Sequence, residues 1–83
     1  VGRTAARAKP WEKQPTESLQ AFNAFVAYRD MGSDRTTRAV AAQLKRQPSQ
    51  IFGWSTKHRW VSRAEAFELD LDARYVEWMR SER

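Results

Sequence analysis

"VAAQLKRQPSQIFGW", residues 40–54, sets apolar residues on either side of two cations, two amides, a proline and a serine. Pro48 has no backbone N–H to donate, and its ring disfavours helical geometry at Gln47. A helix arriving from the N-terminal side must therefore end by about Arg46. Pro48 or Ser49 then suits the first turn of a new helix, and Ile51 and Trp54 return an apolar face one turn apart. The interruption reads as the turn of a helix-turn-helix. The first helix of that motif needs a small residue where the second crosses closely, here Ala41, with aliphatic anchors beside it, here Val40 and Leu44. The second needs a β-branched residue and a bulky one three positions on, which Ile51 and Trp54 supply. Lys45 and Arg46 depart from the pattern, because many such turns carry Gly followed by an aliphatic residue.

Outward from this stretch, the periodicity predicts an all-α fold, a small helix-turn-helix domain of three core helices plus a longer C-terminal helix. "TESLQAFNAFVAYRDMG" (16–32) lines up Leu19, Phe22, Phe25, Val26 and Met31 as the apolar stripe of a first helix, with Thr16 or Ser18 as cap and Gly32 as stop. "SDRTTRAVAAQLKR" (33–46) predicts a second helix starting at Ser33 or Asp34, with Arg35, Arg38 and Lys45 on its polar face. "SRAEAFELDLDARYVEWMRSER" (62–83) opens on Ser62 and Glu65, a capping-box spacing, and could stay helical to Arg83. Such a helix would be about 33 Å long, more than a three-helix head can cover. Ala64 and Phe67 would seal the head, while Leu71, Tyr75 and Trp78 continue the stripe outward as an oligomerisation ridge. The alternative is a helix that folds back to complete a four-helix core. The predicted organisation is a flexible or loosely docked basic arm at 1–15, a DNA-binding domain at 16–63 and a C-terminal helix at 64–83 that starts an oligomerising region.

Charge narrows the partner. The chain carries a net charge of +5 over 83 residues, but residues 33–63 hold seven cations and one anion while residues 64–83 hold three and six. A segment this basic fits a polyanion, nucleic acid or an anionic membrane surface. The length allows one small core with little room for an enclosed active site. Cysteine is absent, which removes disulfides and Cys-based zinc sites and fits a reducing, cytoplasmic setting. The first fifteen residues lack a signal-peptide core and no segment approaches membrane-spanning length, so a soluble, non-secreted protein is expected. The start at Val1 and the end inside a helical pattern at Arg83 lead us to expect a piece of a longer chain or an alternative start codon.

With Ile51 and Trp54 turned inward, the third helix offers Ser49, Gly53 and Thr56 on its outer side, flanked by Phe52 and Lys57, with Gln47 and Gln50 at the entering end. These seven are the candidate base or groove contacts. Gln can pair with adenine, Ser and Thr can serve bases or phosphates, and a Phe edge can pack on a thymine methyl. None has the guanine preference of Arg, so weak sequence discrimination is expected. Arg35, Arg38, Lys45, Arg46 and Arg59 suit phosphates, and the arm adds Arg3, Arg7 and Lys9.

"PWEKQPTES", "AFVAYRDMG", "RTTRAVAAQL" and "GWSTKHRWVSRA", in that order, resemble the N-terminal domain of phage terminase small subunits, which mark viral DNA for packaging. The resemblance covers roughly residues 10 to 70, and the Trp-Ser-x-Lys-x-x-Trp-Val-x-Arg-Ala pattern from Trp54 to Ala64 is its most distinctive part. It implies a double-stranded-DNA-binding head, a homo-oligomerising helical segment that builds a ring, a tail that contacts the large terminase ATPase subunit, and a bacterial host cell. Related proteins often carry charged residues where this chain has Phe52 and Gly53, so no base reading is carried over at those positions.

Enzymatic chemistry finds little footing, and the expectation is a non-enzyme without cofactor or metal. His58, the single histidine, falls on the inward side of the third helix beside Trp54, which fits packing or a helix end better than catalysis. Glu65, Glu68 and Asp72 share one face of the last helix, the ordinary arrangement of a solvated face favoured by the helix dipole. There is no Gly-rich phosphate loop, so ATP hydrolysis would belong to a partner. Two other functions use the same features: a helix-turn-helix transcriptional regulator or excision factor, and a protein-interaction module whose charge is incidental.

Overall fold

The computed structural model describes residues 8–81, and these form four α-helices with no strand among them. The helices are α1 (Leu19–Asp30), α2 (Thr37–Leu44), α3 (Pro48–Lys57) and α4 (Trp60–Ser81), with a single 3₁₀ turn at Gly32–Asp34. Each start has a local cause. The Ser18 hydroxyl accepts from the Ala21 amide at 3.1 Å and Thr36 caps α2 in the same way through Ala39 at 3.0 Å. Gln47, held extended ahead of Pro48 at ψ 131°, is the N-cap of α3, with Pro48 at the first helical position.

α2 thus begins at Thr37 rather than at Ser33 or Asp34. Gly32 takes φ +70° and the next residues close a 3₁₀ turn before Thr36 can cap. α4 begins two residues before the predicted Ser62 cap, because Arg59 adopts φ 55° and reverses the chain directly after α3. The Ser62 hydroxyl donates to the Arg59 carbonyl instead of capping. The boundary expected between residues 63 and 64 consequently falls inside α4, whose first turn belongs to the core.

α2 and α3 make the most extensive helix–helix contact, and α1 and α4 pack across them. The core is Phe25, Tyr28, Val40, Ala41, Ile51, Trp60 and Ala64 with Ala24, and Leu44 and Trp54 lie half-buried against it. The Trp60 ring lies 6.0 Å from Phe25 and 5.2 Å from Tyr28, centre to centre. Such tilted aromatic contacts add to the area buried. α1 turns Phe25 of the expected stripe into the core, with Phe22 and Met31 packed at its edge, and departs from that stripe at Leu19. It buries Ala21, Ala24, Phe25 and Tyr28, leaves Phe22 and Val26 half-buried, and exposes Leu19 at 63%. The buried face also takes in Ala21, Ala24 and Tyr28, which the large apolar residues alone did not mark.

Of the arm expected to be flexible or loosely docked, the described part from residue 8 is docked. Residues 8–17 are tied to the domain by Arg63, whose guanidinium uses all five donors: Nε to the Pro10 carbonyl at 2.6 Å, and the two terminal nitrogens to the carboxylate of Glu17 at 2.9 and 3.0 Å and to the carbonyls of His58 and Glu12 at 3.1 and 3.2 Å. Its plane sits 4.0 Å from the Phe25 ring centre, and Trp11 packs on Phe67 at 6.1 Å. A buried guanidinium needs its partners in full, and this segment provides most of them. Residues 1–7, with Arg3 and Arg7, lie outside the described residues, as do Glu82 and Arg83.

Candidate nucleic-acid interface

The turn that positions α3 is short and specific. The Arg46 amide donates to the Ala41 carbonyl at 3.0 Å and the Lys45 amide to Ala42 at 3.4 Å, with Lys45 itself left-handed at φ 56°, ψ 47°. This is a Schellman ending, which satisfies the last carbonyls of α2 and turns the chain within three residues. A lysine stands where glycine is favoured, and the left-handed backbone costs an L-residue about 1–2 kcal/mol. Its side chain is exposed.

On α3, Ile51 and Ser55 are buried and Trp54 is half-buried, which turns Gln47, Ser49, Gln50, Phe52, Gly53, Thr56 and Lys57 to the surface together. Gln47 makes no side-chain capping bond, so its carboxamide is not committed to the helix. Phe52 is 64% exposed, and a Cβ built at Gly53 would meet nothing within 4 Å. No internal contact requires a glycine at that point. Arg46 bends back over α3, donating to Gln50 Oε1 at 3.2 Å with its guanidinium 5.5 Å from the Trp54 ring centre. It orients the Gln50 amide as well as carrying charge.

Two of the seven cations in residues 33–63 are held in ion pairs among the described residues. Arg63 pairs with Glu17, and Arg35 pairs with Glu68 of α4 while donating to the carbonyls of Tyr28 and Arg29 at 3.3 and 3.2 Å. Arg35 is therefore removed from the predicted phosphate set. The carbonyls at the end of α1 and the carboxylate on α4 hold it at 13% side-chain exposure. The other five, Arg38, Lys45, Arg46, Lys57 and Arg59, form no ion pair among the described residues. They follow α2, its turn and α3 to the α3–α4 turn, and they frame the outer face of α3.

The sequence reading missed the Arg63–Glu17 pair. Arg63 stands in the Trp54–Ala64 pattern, and with Ser55, Trp60 and Ala64 it shows that the most distinctive residues there are buried ones. That density of tryptophan, arginine and alanine is the signal that could have located the core. His58 ends α3, half-buried, with its carbonyl accepting from Arg63. Among the described residues no cluster of three His, Asp or Glu side chains is placed to hold a metal, and no helix is long and apolar enough to cross a membrane.

From residue 71 to residue 81 every position of α4 is exposed, so the helix projects past the head rather than folding back. Leu71, Tyr75 and Trp78 are 47%, 60% and 55% exposed, and the last two rings lie 6.1 Å apart. Leu69, Val76 and Met79 widen the exposed apolar surface, and the Asp70–Arg74 pair at 2.8 Å marks the polar side. Comparison of the chain with protein-family models, with curated proteins and with solved structures finds no match in any of the three.

Proposed function

We propose that this chain is the DNA-binding head of a packaging-type recognition subunit similar to phage terminase small subunits, acting in the cytoplasm of a bacterial host. The observation that carries the DNA-binding reading is the set of five cations, without an ion pair among the described residues, around the exposed outer face of α3. In this reading α3 enters the major groove, with Gln47, Ser49, Gln50, Phe52, Gly53, Thr56 and Lys57 against the bases or groove walls. Arg38, Lys45, Arg46 and Arg59 take phosphates and fix the orientation. Affinity for a single head is low-micromolar or weaker, because phosphate contacts dominate and few groups read bases. The apolar ridge on α4 supports a homo-oligomer in which several weak heads act together on one DNA. The packaging role itself, and the large ATPase subunit as partner, rest on the sequence resemblance.

Fluorescence anisotropy with a labelled duplex across a salt series tests the reading. Binding is expected to fall steeply with salt, and Lys45→Ala with Arg46→Ala is expected to lower the log–log salt slope by about 1 to 2 and weaken all sequences alike. Thr56→Glu is expected to harm binding more than Gln20→Glu on α1. Absence of binding at low salt would overturn the reading in favour of a protein-interaction module.

A further inference from the structure

The docked N-terminal segment does more than cover the core. Between it and the α3–α4 turn lies an open cleft of about 370 Å³. Gln14 and Thr16 line it on the segment's side, and Lys57, His58, Arg59 and Ser62 on the other. None of its lining residues is acidic. Lys57 and Arg59 form no ion pair among the described residues, whereas Arg63, which also lines the cleft, has its charge met by Glu17 and its five donors committed inward. Among the described residues the cleft combines two cations without an ion pair, the Thr16 hydroxyl and a Ser62 hydroxyl that would have to leave the Arg59 carbonyl to donate elsewhere, with no carboxylate in its lining, which is the chemistry of a phosphate site. Its position fits a strand of duplex rather than a small ligand, since it opens to solvent at the end of α3 and shares Lys57 with the outer face of that helix.

We propose that this cleft holds a backbone phosphodiester of the DNA whose major groove α3 occupies, so that the segment before α1 and the α3–α4 turn grip one strand from two sides. The proposal rests on the DNA-binding reading above. It assigns to Thr16 and Ser62 a role that the helix-turn-helix alone does not give them, and it makes the Arg63–Glu17 pair the fastening that builds the site.

The test is an amide NMR titration of the whole chain with a short duplex and, separately, with inorganic phosphate, repeated on Ser62→Glu. Ser62 is exposed in the first turn of α4, where a carboxylate favours the helix, so this variant retains the fold. Thr16→Glu on the opposite wall is the second variant. The duplex is expected to shift Gln50 and Gly53 on α3 together with Thr16, Arg59 and Ser62 at the cleft. Either variant should abolish the cleft shifts, keep those on α3, and lower the salt slope of binding by about 1. Duplex shifts confined to α3, with both variants binding as the parent does, would overturn the proposal and leave the DNA-binding reading standing. Cleft shifts with inorganic phosphate but not with duplex would overturn it in favour of a free-anion site. No shift anywhere with duplex would overturn the DNA-binding reading and the proposal with it.

Discussion

Replacing Gly53 by Ala separates the stability of α3 from its use. The residue sits inside α3, exposed, where an added methyl group would find open space. Glycine in a helix interior is about 0.8–1.0 kcal/mol less favourable than alanine, and no internal clash offsets that gain. At about 4–8 °C per kcal/mol for a domain of this size, calorimetry is expected to show a rise in Tm of roughly 4–8 °C. Binding should move the other way. If the backbone at Gly53 lies against the groove, the methyl group acts like an overpacked contact, costing about 1–3 kcal/mol, or roughly 5- to 150-fold in Kd at 1.4 kcal/mol per decade. Anisotropy on the same preparation reads this term. Opposite signs in the two assays cannot arise from a general loss of fold. A lower Tm would reveal an internal need for glycine, and equal or tighter binding would refute close approach of α3 at this point.

Lys45→Gly is expected to relieve the left-handed strain and raise stability by about 1 kcal/mol, read by urea denaturation, while lowering the salt slope of DNA binding by about 1; a loss of stability would contradict the strain. Glu17→Ala leaves the Arg63 charge buried without its partner and should destabilise by about 3–5 kcal/mol, a large share of the total for a chain this small, whereas a change below about 1 kcal/mol would show that the segment is not docked in solution. Substituting deoxyuridine for thymidine removes only the methyl group that Phe52 can cover, so binding should weaken by up to about fourfold per methyl contacted, and Phe52→Ala should be blind to the change. Light scattering on the full-length chain at tens of micromolar should show an oligomer that Leu71→Glu with Trp78→Glu converts to monomer; an undisturbed oligomer would exclude the ridge as its contact.

What the sequence determined by itself was set within a few residues of backbone. Pro48 and the extended Gln47 before it close the turn between α2 and α3 whatever surrounds them, and they place Ile51 inward and Ser49, Phe52, Gly53 and Thr56 outward. The surplus of cations in residues 33–63 is likewise a property of the chain, as is the stripe that runs out along Leu71, Tyr75 and Trp78. Tertiary structure alone decided which cations remain available. Arg35 meets Glu68 across 33 positions and Arg63 meets Glu17 across 46, and no local pattern announces either pair. It also decided that α1 buries Ala21 and Ala24 while leaving Leu19 exposed. The physical reason is common to these cases. Backbone conformation answers to neighbours in sequence, whereas a buried charge or a close helix contact is stable only when partners from distant segments complete it.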